Sequence, residues 1–99
     1  MAARDATVEL PADTWTQITN GETTGDVSIC VTEGWPILIQ ATTSASAPSD
    51  TDGMILAEFG HGWSEATIAE KFPGLTSPDH LYGRPLRSGV AAKVYVSHG

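Results

Sequence analysis

The chain of 99 residues has one cysteine, five basic residues and few aromatics, with three Trp, two Tyr and two Phe. Each shortage closes off a class of protein. A lone Cys30 cannot make an internal disulfide framework or a cysteine-rich zinc site. Set within an apolar-alternating run, it reads as a half-buried structural thiol. Twelve acidic residues against five basic give a formal net charge of −7. That balance argues against a nucleic-acid surface, which needs clustered Lys and Arg to neutralise phosphates. No stretch is apolar for long enough to span a membrane as a helix. The opening Met1-Ala2-Ala3-Arg4-Asp5 leads into no apolar secretory core, so the expectation is a protein made in the cytoplasm and soluble there. The charge is also uneven, because Arg84, Arg87 and Lys93 fall near the C-terminus and nearly all the acid lies before Asp79.

What remains is strand and turn. The length fits one domain over 1–99, with residues 1–5 as an N-terminal arm. Val8 and Leu10 alternate in residues 7–10 before Pro11. Residues 15–19 are rich in β formers. Residues 27–31 are the cleanest period-two run, with Val27, Ile29 and Val31 on one face. Residues 37–41 are nearly continuous apolar, as in a strand covered on both faces. Residues 54–59 form a further strand, and 80–84 a short one stopped by Pro85. In residues 90–97, Ala92, Val94 and Val96 share a face. Residues 42–52, made of Ser, Thr, Ala, Pro and Asp, cannot build a core and read as a surface loop. Short strands at this spacing predict an all-β protein, an antiparallel sandwich of jelly-roll type with about seven to eight strands. The expected core includes Val27, Ile29, Val31, Ile37, Ile39, Val94 and Val96.

One segment departs from that plan. Residues 60–74 read as a short helix over 64–72, with Ser64 as N-cap and Trp63 and Ile68 as a hydrophobic staple. Glu65 in the first turn and Lys71 in the last suit the helix dipole. Pro73 and Gly74 mark the exit.

Chemistry finds little purchase. His61, His80 and His98 lie far apart in sequence and lack ligand spacing. Gly62-Trp63-Ser64-Glu65-Ala66 lacks the second glycine of a nucleophile elbow. Asp50 and Asp52 lack the glutamate that closes a calcium loop, since His61 stands there. No glycine loop is followed by a phosphate-binding lysine. No catalytic residue, cofactor or metal is assigned, and the protein is not expected to be an enzyme. Trp15, Trp35 and Trp63 each sit at an element boundary, where core and rim packing is the simpler reading and sugar stacking the sharper one.

The order of features is nevertheless familiar. Val8-Glu9-Leu10-Pro11 leads to Trp15-Thr16-Gln17-Ile18-Thr19-Asn20, then Val27-Ser28-Ile29 and Ile37-Leu38-Ile39. A Ser/Ala/Pro loop ending in Asp52-Gly53 precedes Phe72-Pro73-Gly74, Leu81-Tyr82-Gly83 and the terminal Val94-Tyr95-Val96-Ser97-His98. From about Val8 to His98 the chain resembles small virion proteins of tailed bacteriophages and gene transfer agents. Cys30 and Gly83-Arg84-Pro85 depart from that pattern. The resemblance implies a non-enzymatic β-sandwich that forms homo-oligomers and joins other virion proteins, such as capsid, fibre or spike subunits. It implies a place in a virion or phage-like particle assembled in the bacterial host cytoplasm, with no nucleic-acid or membrane partner. The candidate interaction surface is Trp35, Trp63, Arg84, Arg87 and Lys93. The alternatives are a carbohydrate-binding module, with Trp35 or Trp63 as stacking platform, and a tail or baseplate adaptor.

Overall fold

The computed structural model describes residues 3–34, 36–50 and 60–99, with the backbone of 54–56. Among the described residues there are eight strands and one short helix: β1 (Arg4–Leu10), β2 (Thr16–Gln17), β3 (Val27–Glu33), β4 (Ile37–Thr42), β5 (Met54–Leu56), β6 (Gly62–Ala66), α1 (Ile68–Lys71), β7 (His80–Pro85) and β8 (Ala92–His98). They form two antiparallel four-stranded sheets, β1-β8-β3-β6 and β2-β7-β4-β5. The first strand pairs with the last, the second with the next to last, and so inward to β4 with β5. The chain is therefore one long hairpin rolled up, with β3–β8 and β4–β7 sewing each sheet together. This is the jelly-roll form of the sandwich.

The core lies between the sheets and follows from side-chain alternation. Val27, Ile29 and Val31 of β3 face Val94 and Val96 of β8 in register, and Leu10 and Ala92 close their end. The second sheet contributes Ile37, Ile39, Ala41 and Leu81, with Ile18 just beyond β2. All seven core residues expected from the sequence are buried. Ile18 reaches this core because Gly83 has no side chain: a Cβ there would lie 2.8 Å from Ile18 Cδ1.

The helix differs from its sequence expectation. Residues 62–66 are not its first turn but edge strand β6, and α1 is a single turn capped by Thr67. Ser64 is thus no N-cap, and Trp63 is no staple: it stands opposite Ile29 and packs against the core. Two features favour the strand. Ser28 Oγ accepts from the Glu65 N–H at 3.0 Å, and Glu65 takes a positive φ of 50° that breaks the chain away before Thr67. Thr67 and Glu70 form a capping box, in which Glu70 N–H donates to Thr67 Oγ1 and Thr67 N–H to Glu70 Oε1. The i, i+4 pair Ile68 and Phe72 still faces the core.

Smaller differences follow from pairing. Arg4 and Asp5, expected in an N-terminal arm, lie in β1 opposite His98 and Ser97. Pro85 belongs to β7, opposite Ile37, rather than ending it early. Of the strand expected over 54–59, residues 57–59 lie outside the described residues.

The capping box makes two outcomes testable. Thr67→Ala should cost about 1 kcal/mol of stability, the usual loss for a capping hydroxyl, measured by urea denaturation. The two hydrogen bonds from Thr67 hold the Glu70 carboxyl below its ordinary value of 4.5. Its folded value therefore lies under its unfolded one, so its contribution is present above the unfolded value and lost as pH falls through the folded one. Wild type and Glu70→Gln should accordingly converge in stability on acidification. A gap that persists in strong acid would contradict the ionised cap.

Candidate interaction surfaces

The two outward faces of the sandwich are built differently. On the first sheet, Asp5, Thr7 and Glu9 of β1 stand opposite Ser97, Tyr95 and Lys93 of β8, all on the side away from the core. Tyr95 is 37% exposed, and its hydroxyl donates to the Asp5 carboxylate. That bond to a carboxylate raises the Tyr95 phenol above its usual range. Lys93 Nζ lies 3.2 Å from Glu33 Oε2, with both side chains about half exposed. A pair so open to water adds little to stability. The result is an open polar face that carries charged side chains and one exposed aromatic ring, that of Tyr95.

The second sheet is covered. Leu38, Tyr82 and His80 lie on its outward side, yet each is nearly inaccessible. Part of the cover is the Ser/Ala/Pro loop. The Tyr82 hydroxyl donates to the Ala45 carbonyl, and Trp15 Nε1 donates to the Asp50 carbonyl at 2.9 Å. Thr42 Oγ1 also donates to the Ser44 carbonyl at 2.7 Å, which turns the chain at the loop's start. A stretch too polar and small to make a core is thus strapped over the sheet by two aromatic side chains. Tyr82→Phe should loosen it at a cost of about 1 kcal/mol. Amide exchange in residues 43–47 should accelerate while β3 and β8 keep their protection; unchanged exchange in the loop would remove the strap.

The sequence-derived surface residues are dispersed over this frame. Lys93 is on the open face of the first sheet and Arg84 on the outward side of the second, so the C-terminal basic residues form no common patch. The Arg84 guanidinium stands 5.7 Å from the Trp15 ring centre, a cation–π contact that ties it to its own sheet. Arg87 is exposed in the connection from β7 to β8. Trp63 is half buried, with Lys71 Nζ 5.6 Å from its ring centre and its Nε1 buried without a hydrogen-bond partner among the described residues. Trp35 lies outside the described residues. Sequence reasoning did not single out Tyr95 or Tyr82. The signal for Tyr95 was available, because period-two alternation puts it opposite the buried valines of β8.

His80 and His98 serve separate structural roles. His80 is buried with Nδ1 2.6 Å from Asp79 Oδ1. Buried His98 accepts the Asn20 N–H at Nε2, 3.0 Å away, and so fastens the end of β8 to the segment after β2. His61 is exposed. Among the described residues no three His, Cys, Asp or Glu side chains come together as a metal site. No described helix is long and apolar enough to cross a membrane.

The nested strand order and the two-layer core define the class of the protein as an all-β, jelly-roll sandwich. Comparison with known proteins finds no matching family model, no matching curated protein and no matching solved structure.

Proposed function

We propose that the protein is a structural component of a phage or phage-like particle, a head spike or fibre base or a capsid decoration subunit, that works through protein–protein contacts. The observation that carries this reading is the strand order, β1-β8-β3-β6 over β2-β7-β4-β5. Eight-stranded jelly rolls are a recurrent building form of viral capsid proteins. The chain's resemblance to small virion proteins points the same way. Both supports work at the level of fold and sequence order, which alone does not assign a function. A local feature therefore has to supply the contact, and the open face around Tyr95, Lys93 and Glu33 is the one best suited to it. Interface cores favour Tyr, while surrounding charges set register and suppress wrong partners. Assembly would take place in the bacterial host cytoplasm, with copies of this chain and with capsid, fibre or spike subunits.

A tail or baseplate adaptor would use the same contacts elsewhere on the particle. The carbohydrate-binding alternative loses support at Trp63, whose ring is half buried against the core and attended by Lys71. Light scattering of the purified protein tests the assembly reading. A discrete oligomer that weakens on Tyr95→Ala or Lys93→Glu is the expected result, and a monodisperse monomer at high concentration would count against it.

A further inference from the structure

The end of the sandwich beside α1 carries a cleft of about 310 Å³. It opens between the β2–β3 connection, the first residues of α1 and the segment leading into β7. Its size falls at the lower end of the range for small-molecule sites. The floor is apolar, formed by fully buried Ile68 and by Pro78, with Ala69 beside it. The lining also includes the hydroxyl-bearing residues Thr24, Thr67 and Ser77, and Asp79 is its one charged residue.

Asp79 is held both at its backbone and at its carboxylate. Asp79 N–H donates to the Thr42 carbonyl at 3.0 Å, and its own carbonyl accepts the Thr23 N–H at 2.8 Å. Behind it, buried His80 engages Oδ1 at 2.6 Å. Oδ2 has no hydrogen-bond partner among the described residues. A carboxylate in a lining shared with apolar Ile68, Ala69 and Pro78 and with hydroxyl-bearing residues is complementary to one chemistry above others. An ammonium would pair with Asp79 and turn its remaining donors toward the hydroxyls, while attached methylenes lay against Ile68 and Pro78. An anion would meet the Asp79 charge. A sugar ring would find no aromatic side chain in the lining to stack on.

We infer that this cleft is a socket for a primary ammonium on an aliphatic stem, the chemistry of a lysine side chain presented by a partner protein. The socket itself does not depend on the particle reading; only the identity of the partner rests on it. An ion pair open to water contributes little, so an isolated side chain should bind weakly and is titrated at high probe concentration. The test is an NMR titration of the labelled protein with Nα-acetyl-lysine N-methylamide, n-butylammonium chloride and the Nε-acetylated lysine amide. Saturable shifts of the Thr24, Ile68, Ala69 and Asp79 amides are expected with both ammonium probes and not with the acetylated one. Tighter binding of the lysine amide assigns the socket to a protein side chain, whereas tighter binding of butylammonium would overturn that assignment in favour of a free amine. Asp79→Asn should weaken binding by about tenfold or more, the equivalent of 1.4 kcal/mol. Because that change also alters the partner of buried His80, Ala69→Lys provides a second reading. Ala69 is exposed on the helix, and a lysine there would place its own ammonium in the socket and block the probe. Shifts that survive Ala69→Lys, spread over the whole surface or appear equally with the acetylated probe would overturn the inference. An absence of binding by a protein that still oligomerises would leave the particle reading intact, and binding by a strictly monomeric protein would do the reverse.

Discussion

Replacing Gly62 by alanine is expected to lower the melting temperature by about 5–20 °C. Gly62 lies in β6 opposite Cys30, where the edge strand runs tightly against β3. A Cβ at this position would sit 2.0 Å from the Ile29 carbonyl oxygen, 2.7 Å from its carbonyl carbon and 2.8 Å from Cys30 Cα. All three are backbone atoms, so no rotamer change makes room. The clash is relieved only if β6 lifts away from β3. Trp63, next in the strand and packed against the core, would move with it. Overpacking of this kind costs about 1–3 kcal/mol, and in a domain of this size each kcal/mol is worth about 4–8 °C. Calorimetry should show the drop, and the Trp63 emission should shift to the red as its ring meets water. A variant that melts within a few degrees of wild type would mean that β6 is not seated on β3 as described.

Ile39→Ala is the second large effect, at about 2–5 kcal/mol in urea denaturation. Ile39 is fully buried in the middle of the second sheet, between Gly83 of β7 and Met54 of β5. The lost methyl groups account for part of the cost and the cavity left behind for the rest. Gly83 has no side chain to swing into the gap, and Ile18 is already pressed against it, which places the expected loss in the upper half of the range. Ile39→Val, which removes one methylene, should cost only about 0.5–1.5 kcal/mol. Equal losses for the two variants would mean that the site collapses freely and that the core is less tightly packed than its burial implies.

The strands were legible because burial in a two-layer sandwich writes itself into the sequence at period two. Val27, Ile29 and Val31, and then Ala92, Val94 and Val96, alternate with polar residues that face outward. The continuous apolar run of β4 also meant what it suggested, since Leu38 is buried on the side opposite Ile37 and Ile39. The helix misled because Ser64 and Thr67 are both competent caps. Local rules alone do not choose between them, and the long-range pairing of Gly62 and Trp63 with β3 does. The Thr67-x-x-Glu70 capping box was nonetheless present as a local signal.

The surface was less legible. Arg84 and Lys93 look like neighbours along the chain, yet β7 and β8 belong to different sheets and carry them to opposite sides. The covering role of residues 43–50 depends on Trp15 and Tyr82, far away in sequence, so no composition argument could supply it. The Asp79 cleft likewise brings two separate segments, at Thr24 and at 77–79, against the one turn of helix.

The proposed role is that of a structural part of a phage-like particle. Cryo-electron microscopy of particles purified from cells that produce the protein, with mass spectrometry of the same sample, tests it most directly. The expected result is the chain among the particle's proteins, with density at symmetry-related positions for a two-sheet unit measuring 31 × 26 × 20 Å. Particles that lack the chain, with all of it left in the soluble fraction, would contradict the account.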